Sequence, residues 1–112
     1  MISRNIKSEV IKENPHNVDV RQMYNDVSAQ IMHMTLKPGQ SLKPHKTPVD
    51  VVFYVLEGAP TILVGEESVV FEKDTLIESP ANLVHCISNE SGSDARILVV
   101  KAPRPVAATK VL

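Results

Sequence analysis

At 112 residues the chain has the length of one domain and would bury about 60 to 70 per cent of the surface it exposes when unfolded, which makes one core and excludes two. Twelve basic residues against thirteen acidic ones leave a net charge of −1, so there is no field to gather nucleic acid or an anionic membrane surface. The single cysteine, Cys86, excludes a disulfide framework and fits a reducing compartment.

The N-terminal residues 1–7 interrupt their apolar positions with charge before any run of signal-peptide length, and no segment reaches membrane-spanning length. A soluble, cytoplasmic protein is expected. Eight prolines, four glycines and no tryptophan, together with many valines and isoleucines, favour strands and tight turns and point to the all-β class.

In chain order, residues 6–12 set Ile6, Ser8 and Val10 against Lys7 and Glu9, the period of a half-buried strand. Asn14-Pro15-His16-Asn17 then turns the chain. A second alternation runs from Val18 and Val20 to Met23. A third covers residues 27–36, where Met32, Met34 and Leu36 share one face and Ile31, His33 and Thr35 the other. The longer apolar face is expected to be the inner one, which turns His33 away from the core. Lys37-Pro38-Gly39-Gln40 matches a type II turn, because proline presets the first central dihedral and glycine accepts the positive φ of the second.

Residues 51–56 are apolar without interruption, so both faces of this strand are expected to be buried. Val51, Phe53 and Val55 form one face, and Val52, Tyr54 and Leu56 the other. Gly65-Glu66 separates two apolar segments, and glycine first in a two-residue loop suits a type II′ hairpin. Further strands are expected at residues 75–77, 83–88 and 97–101, the last two joined by the polar turn cluster 89–94. About nine or ten short strands without a helical segment indicate a sandwich or barrel. The tail, residues 103–112, has two prolines and no period and is expected to be extended or loosely ordered.

Two histidines, each on a strand soon after a proline turn, carry the chemical signal. Gly39, His45, Thr47, Val51 and Gly58 stand at the spacing of glycine, five residues, His-x-His, three residues, glutamate, six residues, glycine. Pro80, Asn82, His85 and Asn89 stand at the spacing of proline, one residue, glycine, two residues, histidine, three residues, asparagine. In this order, and separated by a hairpin, the two stretches resemble the two motifs of the cupin superfamily over residues 27–101. The resemblance implies a single-domain jelly-roll β-barrel over residues 1–102, with residues 103–112 as an extended C-terminal tail.

In that family the motifs bring three histidines and a glutamate to a metal inside the barrel. Carried over by position, His45 and His85 remain, while Thr47 and Val51 replace the other two ligands. Glycines expected near Lys73-Asp74 and at Asn82 are also replaced, at less harm to the fold, since Asp and Asn tolerate turns. Catalytic divalent metals generally need at least three protein ligands. Asp50 enters the barrel only if Pro48 introduces a bulge that shifts the register, and His33 joins only if its face is the inner one. The resemblance therefore implies a barrel holding either one divalent transition metal (iron, manganese, nickel, copper or zinc) on His45 and His85, or none.

Each of these residues also has a plainer reading. His16, in a turn, reads as a half-buried histidine with one hydrogen bond, and the same reading competes at His45 and His85. Cys86 leaves the strand on the face opposite His85, so the two do not form a nucleophile and base, and Cys86 reads as a small buried hydrophobe. Met23, Met32 and Met34 serve as core filler or as an adaptable pocket wall.

The leading functional expectation is a cupin barrel that binds a small, largely apolar molecule in an interior lined by His45, Thr47, Val51, Phe53, His85 and Met34. The alternative is a metal-dependent enzyme of dioxygenase, decarboxylase or isomerase type. A third reading is an interaction module with no interior chemistry. A transcription regulator in one chain is not expected, because the residues before Val18 are too few for a helix-turn-helix domain. The doubly apolar strand at residues 51–56 asks for another layer, and a second copy of the chain, forming a homodimer, supplies one.

Overall fold

In the computed structural model, which describes residues 1–107 and 110–112, ten strands are found among the described residues. They are β1 (Asp19–Asp26), β2 (Ala29–Leu36), β3 (His45–Lys46), β4 (Val51–Glu57), β5 (Thr61–Val64), β6 (Glu67–Val70), β7 (Leu76–Ser79), β8 (Val84–Ser88), β9 (Ala95–Lys101) and β10 (Lys110–Val111). Two five-stranded antiparallel sheets result, ordered β1-β2-β9-β4-β7 and β10-β3-β8-β5-β6. The core joins inward side chains of both. Met34, Leu36, Val51, Phe53, Val55, Ile97 and Val99 come from the first sheet, and Ile62 and Ile87 from the second.

The turns follow the local chemistry. At the first proline-glycine turn the Gln40 N–H donates to the Lys37 carbonyl at 3.0 Å and Gly39 has φ +85°, the geometry of type II. Gly65 has φ +63° while Glu66 stays on the negative side, which fits type II′ and excludes type I′. Asp74 and Asn82, where the family motif has glycine, have φ 65° and 67°. The backbone keeps the left-handed bend, and two residues that tolerate it replace the glycine. Gly58 admits no such replacement, because a Cβ there would lie 2.4 Å from the Asp94 carbonyl oxygen.

One sequence expectation is corrected. Residues 6–12 form no strand: Ile6–Ser8 is a single 3-10 turn whose cap, Asn5, accepts the Lys7 N–H through its side chain at 2.9 Å. The alternation there buries little, Val10 being 80% exposed, and a local side-chain cap wins over a strand with nothing to pack on. In the single chain the inner face of β4 is fully buried at Val51, Phe53 and Val55, while Val52, Tyr54 and Leu56 on the other face are half-buried, flanked by strands β9 and β7.

Met32, Met34 and Leu36 do face inward, and His33, paired with Leu98, lies on the opposite face of the sheet, where it is still only 2% exposed. A bulge at Met23 shifts the β1–β2 register between Gln22 and Tyr24. Within the tail expected to be extended or loosely ordered, Ala108 and Thr109 lie outside the described residues. After them, Lys110 pairs with Lys46 and Val111 with His45, and the Leu112 N–H donates to the Pro44 carbonyl at 3.0 Å. The last residues of the chain thus border β3 and its histidine. No helix among the described residues is long and apolar enough to cross a membrane.

Candidate functional site

His45 on β3 and His85 on β8 are direct partners in the antiparallel ladder. Opposed residues share a face, so both rings enter the barrel. Their centroids are 4.5 Å apart, edge to face. His85 is 2% exposed and stacks edge-on against Phe53 at 5.3 Å. Its Nδ1 meets the Ser79 hydroxyl at 2.7 Å and its Nε2 the Thr47 hydroxyl at 3.2 Å. Both ring nitrogens are therefore engaged by hydroxyls, one as donor and the other as acceptor in the neutral ring.

A third imidazole completes the group. Asn14 folds its own turn: its amide nitrogen donates to the Lys12 and Val18 carbonyls, and its oxygen accepts the His16 N–H at 3.1 Å. This Asx turn sets His16 over the barrel mouth, 4.8 Å from His45 between ring centroids. One peptide segment then fixes both tautomers. The Lys43 N–H donates to His16 Nδ1 at 2.8 Å, which leaves the proton of a neutral His16 on Nε2. The Lys43 carbonyl, an acceptor only, stands 2.7 Å from His45 Nδ1, which places the His45 proton on Nδ1 and a lone pair on Nε2.

The charge state follows from the surroundings. Burial, then His45 and Lys101, pushes His85 down to about 4. Burial, then His45, Lys43 and Lys101, takes His16 to about 4. Burial also lowers His45, against the upward pull of its bond to Lys43, with Lys101 adding to the fall. All three rings are neutral at neutral pH. The nearby cation, Lys101, is lowered chiefly by its own burial and then by Lys12.

A cavity of about 170 Å³ opens beside these groups. Met32, Met34, Val99 and Leu42 give it apolar walls, and His16, His45 and Lys101 form its polar side. A larger depression of about 600 Å³ lies outside the barrel, walled by Glu13, Asn17, Thr35 and Lys37. It is the bigger space and shares Asn14 with the smaller one, but no histidine lines it, so the small cavity is the site with chemistry.

The residues singled out in the sequence fall into two places. Met34 and His45 border the cavity. Thr47, Val51, Phe53 and His85 are packed behind His45, each at most 2% exposed. Asp50 stays outside, where its Oδ1 accepts the Ala81 N–H at 2.9 Å. His33, on the outer face of β2, accepts from Arg96 Nε at 3.2 Å. Neither joins His45 and His85. Cys86 faces away from the barrel and donates to the Leu42 carbonyl at 3.1 Å; burial raises its thiol.

The sequence reading missed two members of the site. His16 arrives through the tertiary path of the loop before β1, for which no local pattern exists. Lys101 had a usable signal: it continues the inward row Ala95, Ile97 and Val99 at period two, so its stem enters the barrel.

The donor set is a poor fit to a divalent metal. His85 spends both nitrogens on hydroxyls, and among the described residues no group of three His, Cys, Asp or Glu side chains is placed to hold an ion. The other two family ligand positions carry a hydroxyl and a methyl-bearing side chain, and Lys101 adds positive charge on the same side.

Two facing antiparallel sheets around a buried histidine pair define a one-barrel protein of the double-stranded β-helix class. The cupin domain model matches residues 32–101, more than half of the chain, and the protein belongs to the cupin family. The TT1209 protein of Thermus thermophilus is 33% identical, with 94% of this chain and 100% of that one covered and a TM-score of 0.80. An RmlC-like cupin with a double-stranded β-helix fold from Methanocaldococcus jannaschii is 24% identical over 94% of each chain, with a TM-score of 0.76. The polyketide cyclase RemF from Streptomyces resistomycificus is 18% identical, with 100% of this chain and 86% of that one covered and a TM-score of 0.83. The last two show the shared fold alone. No curated protein matches the chain.

Proposed function

We propose that this cupin is a cytoplasmic small-molecule-binding protein whose ligand sits at the barrel mouth against His16, His45 and Lys101, with no metal between ligand and protein. The observation that carries the reading is the apolar cavity of about 170 Å³ with its polar groups gathered on one side. A space walled by methionine, leucine and valine with a few fixed donors and acceptors is the usual composition of a ligand pocket. His45 Nε2, whose lone pair is left free by the Lys43 carbonyl on Nδ1, accepts a hydroxyl or amide proton from such a ligand.

The test is a thermal-shift screen of organic acids, phenols and sugars on the wild-type protein and on Val99→Phe, which fills the cavity. At least one class should raise the wild-type melting temperature and leave the variant unmoved. A flat response across the panel overturns the reading.

The metal-dependent enzyme needs a third ligand beside His45 and His85, and Thr47 already occupies His85 Nε2. Elemental analysis of freshly purified protein should find sub-stoichiometric iron, manganese, nickel, copper and zinc. Near-stoichiometric metal that is lost in the His45→Ala, His85→Ala double variant would put the enzyme reading first.

A second copy of the chain is the partner proposed for the outer face, where Val52, Tyr54 and Leu56 of β4 are half-buried beside Leu98 and Val100 of β9. Light scattering at micromolar concentration should give the mass of two chains, and the mass of one overturns the dimer.

A further inference from the structure

Lys101 is the last residue of the inward row on β9, in register with Val51 of β4 on one side and Gln30 of β2 on the other. Its ammonium group lies among groups that offer it no compensation. His16, His45 and His85 feel it as a repelling charge, and Lys12 is the other cation close enough to perturb it. Among the described residues the ion pairs are Arg21 with Asp19 and Arg96 with Glu57, and no carboxylate meets Lys101. Lys101 is half-buried, and a cation partly withdrawn from water without a counter-charge favours a ligand that supplies one.

Beside it, His16 has Nδ1 occupied by the Lys43 N–H and so presents Nε2–H as a donor. The cavity thus offers a cation and an N–H on one side and hydrocarbon on the others. The geometry points to a small organic acid as the ligand class, a single carboxylate on an apolar body, with the carboxylate accepting from the Lys101 ammonium and from His16 Nε2–H. The apolar body lies against Met32, Met34 and Val99. An apolar cavity of roughly 150 Å³ accepts benzene, so a space of about 170 Å³ suits an acid of the size of benzoate or isovalerate.

The inference rests on the cavity reading above and narrows it, and the experiment separates the two. Binding of benzoate, phenylacetate and isovalerate is measured by calorimetry against their uncharged amides, on the wild-type protein, on Val99→Phe and on Lys101→Met. At least one acid should bind at least about tenfold tighter than its amide, the margin expected of charge-assisted over neutral hydrogen bonds. Lys101→Met should erase that margin, bringing acid and amide to comparable affinity, and Val99→Phe should remove the binding of both.

Amides binding as tightly as their acids, with loss in Val99→Phe, would overturn the acid proposal and leave the cavity reading standing. An acid preference that survives Lys101→Met would also overturn it. Absence of binding by every acid and amide overturns the acid class, and the wider screen then decides the cavity itself. Should Lys101→Met fail to fold, the acid-against-amide comparison on the wild-type protein still decides.

Discussion

Lowering the pH from 7 to 5 should cost this protein stability through His85. The ring has a pKa of about 4 in the folded chain against an ordinary value of 6.5, so between those values the unfolded chain binds a proton that the folded one refuses. The contribution is present in full above about pH 6.5 and is lost progressively as the pH falls toward 4. The two binding curves differ at pH 5 by roughly 2 kcal/mol for this one group. His16, also lowered to about 4, adds in the same direction.

The groups facing His85 are His45 and Lys101, both of which resist a further positive charge, and the neutral hydroxyls of Ser79 and Thr47. None of them offers an imidazolium a counter-ion. The assay is urea denaturation at pH 7 and pH 5 on the wild-type protein and on His85→Gln, whose amide keeps polar contact with the hydroxyls and does not titrate. The wild type should lose more than the variant by about 2 kcal/mol. Equal losses in the two proteins, or a wild type as stable at pH 5 as at pH 7, would refute the reasoning.

Lys101→Met should stabilise the ligand-free protein by about 1 kcal/mol, because it replaces an uncompensated cation by a flexible apolar side chain in a cavity already walled by methionine; a lower melting temperature contradicts this. Gly58→Ala should destabilise by at least about 2 kcal/mol, since it combines a left-handed backbone with a Cβ driven into the Asp94 carbonyl, and calorimetric melting checks it. Asn82→Gly, at φ 67° with an exposed side chain, should be neutral or raise stability by up to about 1 kcal/mol; a loss comparable to that at Gly58 would show that the asparagine side chain, and not the backbone bend, is what the position requires.

The strands and turns were legible because their causes are local. Pro38-Gly39 and Gly65 carry their dihedral preferences with them, and the alternation through Met32, Met34 and Leu36 reports a face whichever strand it packs on. Residues 6–12 misled for the complementary reason: Ile6, Ser8 and Val10 have the right period, but a period becomes a strand only where a sheet offers a partner, and Asn5 caps a 3-10 turn first.

At the site, the resemblance to the family motifs implied that His45 and His85 share the barrel interior, and the left-handed backbone at Asp74 and Asn82 shows why the motif survives without its glycines. His16 was out of reach, because its place depends on how the Asn14 turn lays the loop against Lys43. Lys101 was within reach: a lysine that continues an inward alternation is a signal, and reading the strand only for its apolar members passed over it.

The central claim is that a small molecule occupies the space beside Met32 and Met34, next to His45. Four methionines distribute the needed reporters, since Met32 and Met34 line the cavity and Met1 and Met23 do not. We would therefore label the methionine methyl groups with carbon-13 and titrate the protein with the acids that raise its melting temperature. The account predicts saturable shifts at the Met32 and Met34 methyls and none at Met1 and Met23. Unmoved Met32 and Met34 signals under a ligand that stabilises the protein would place the binding elsewhere and contradict it.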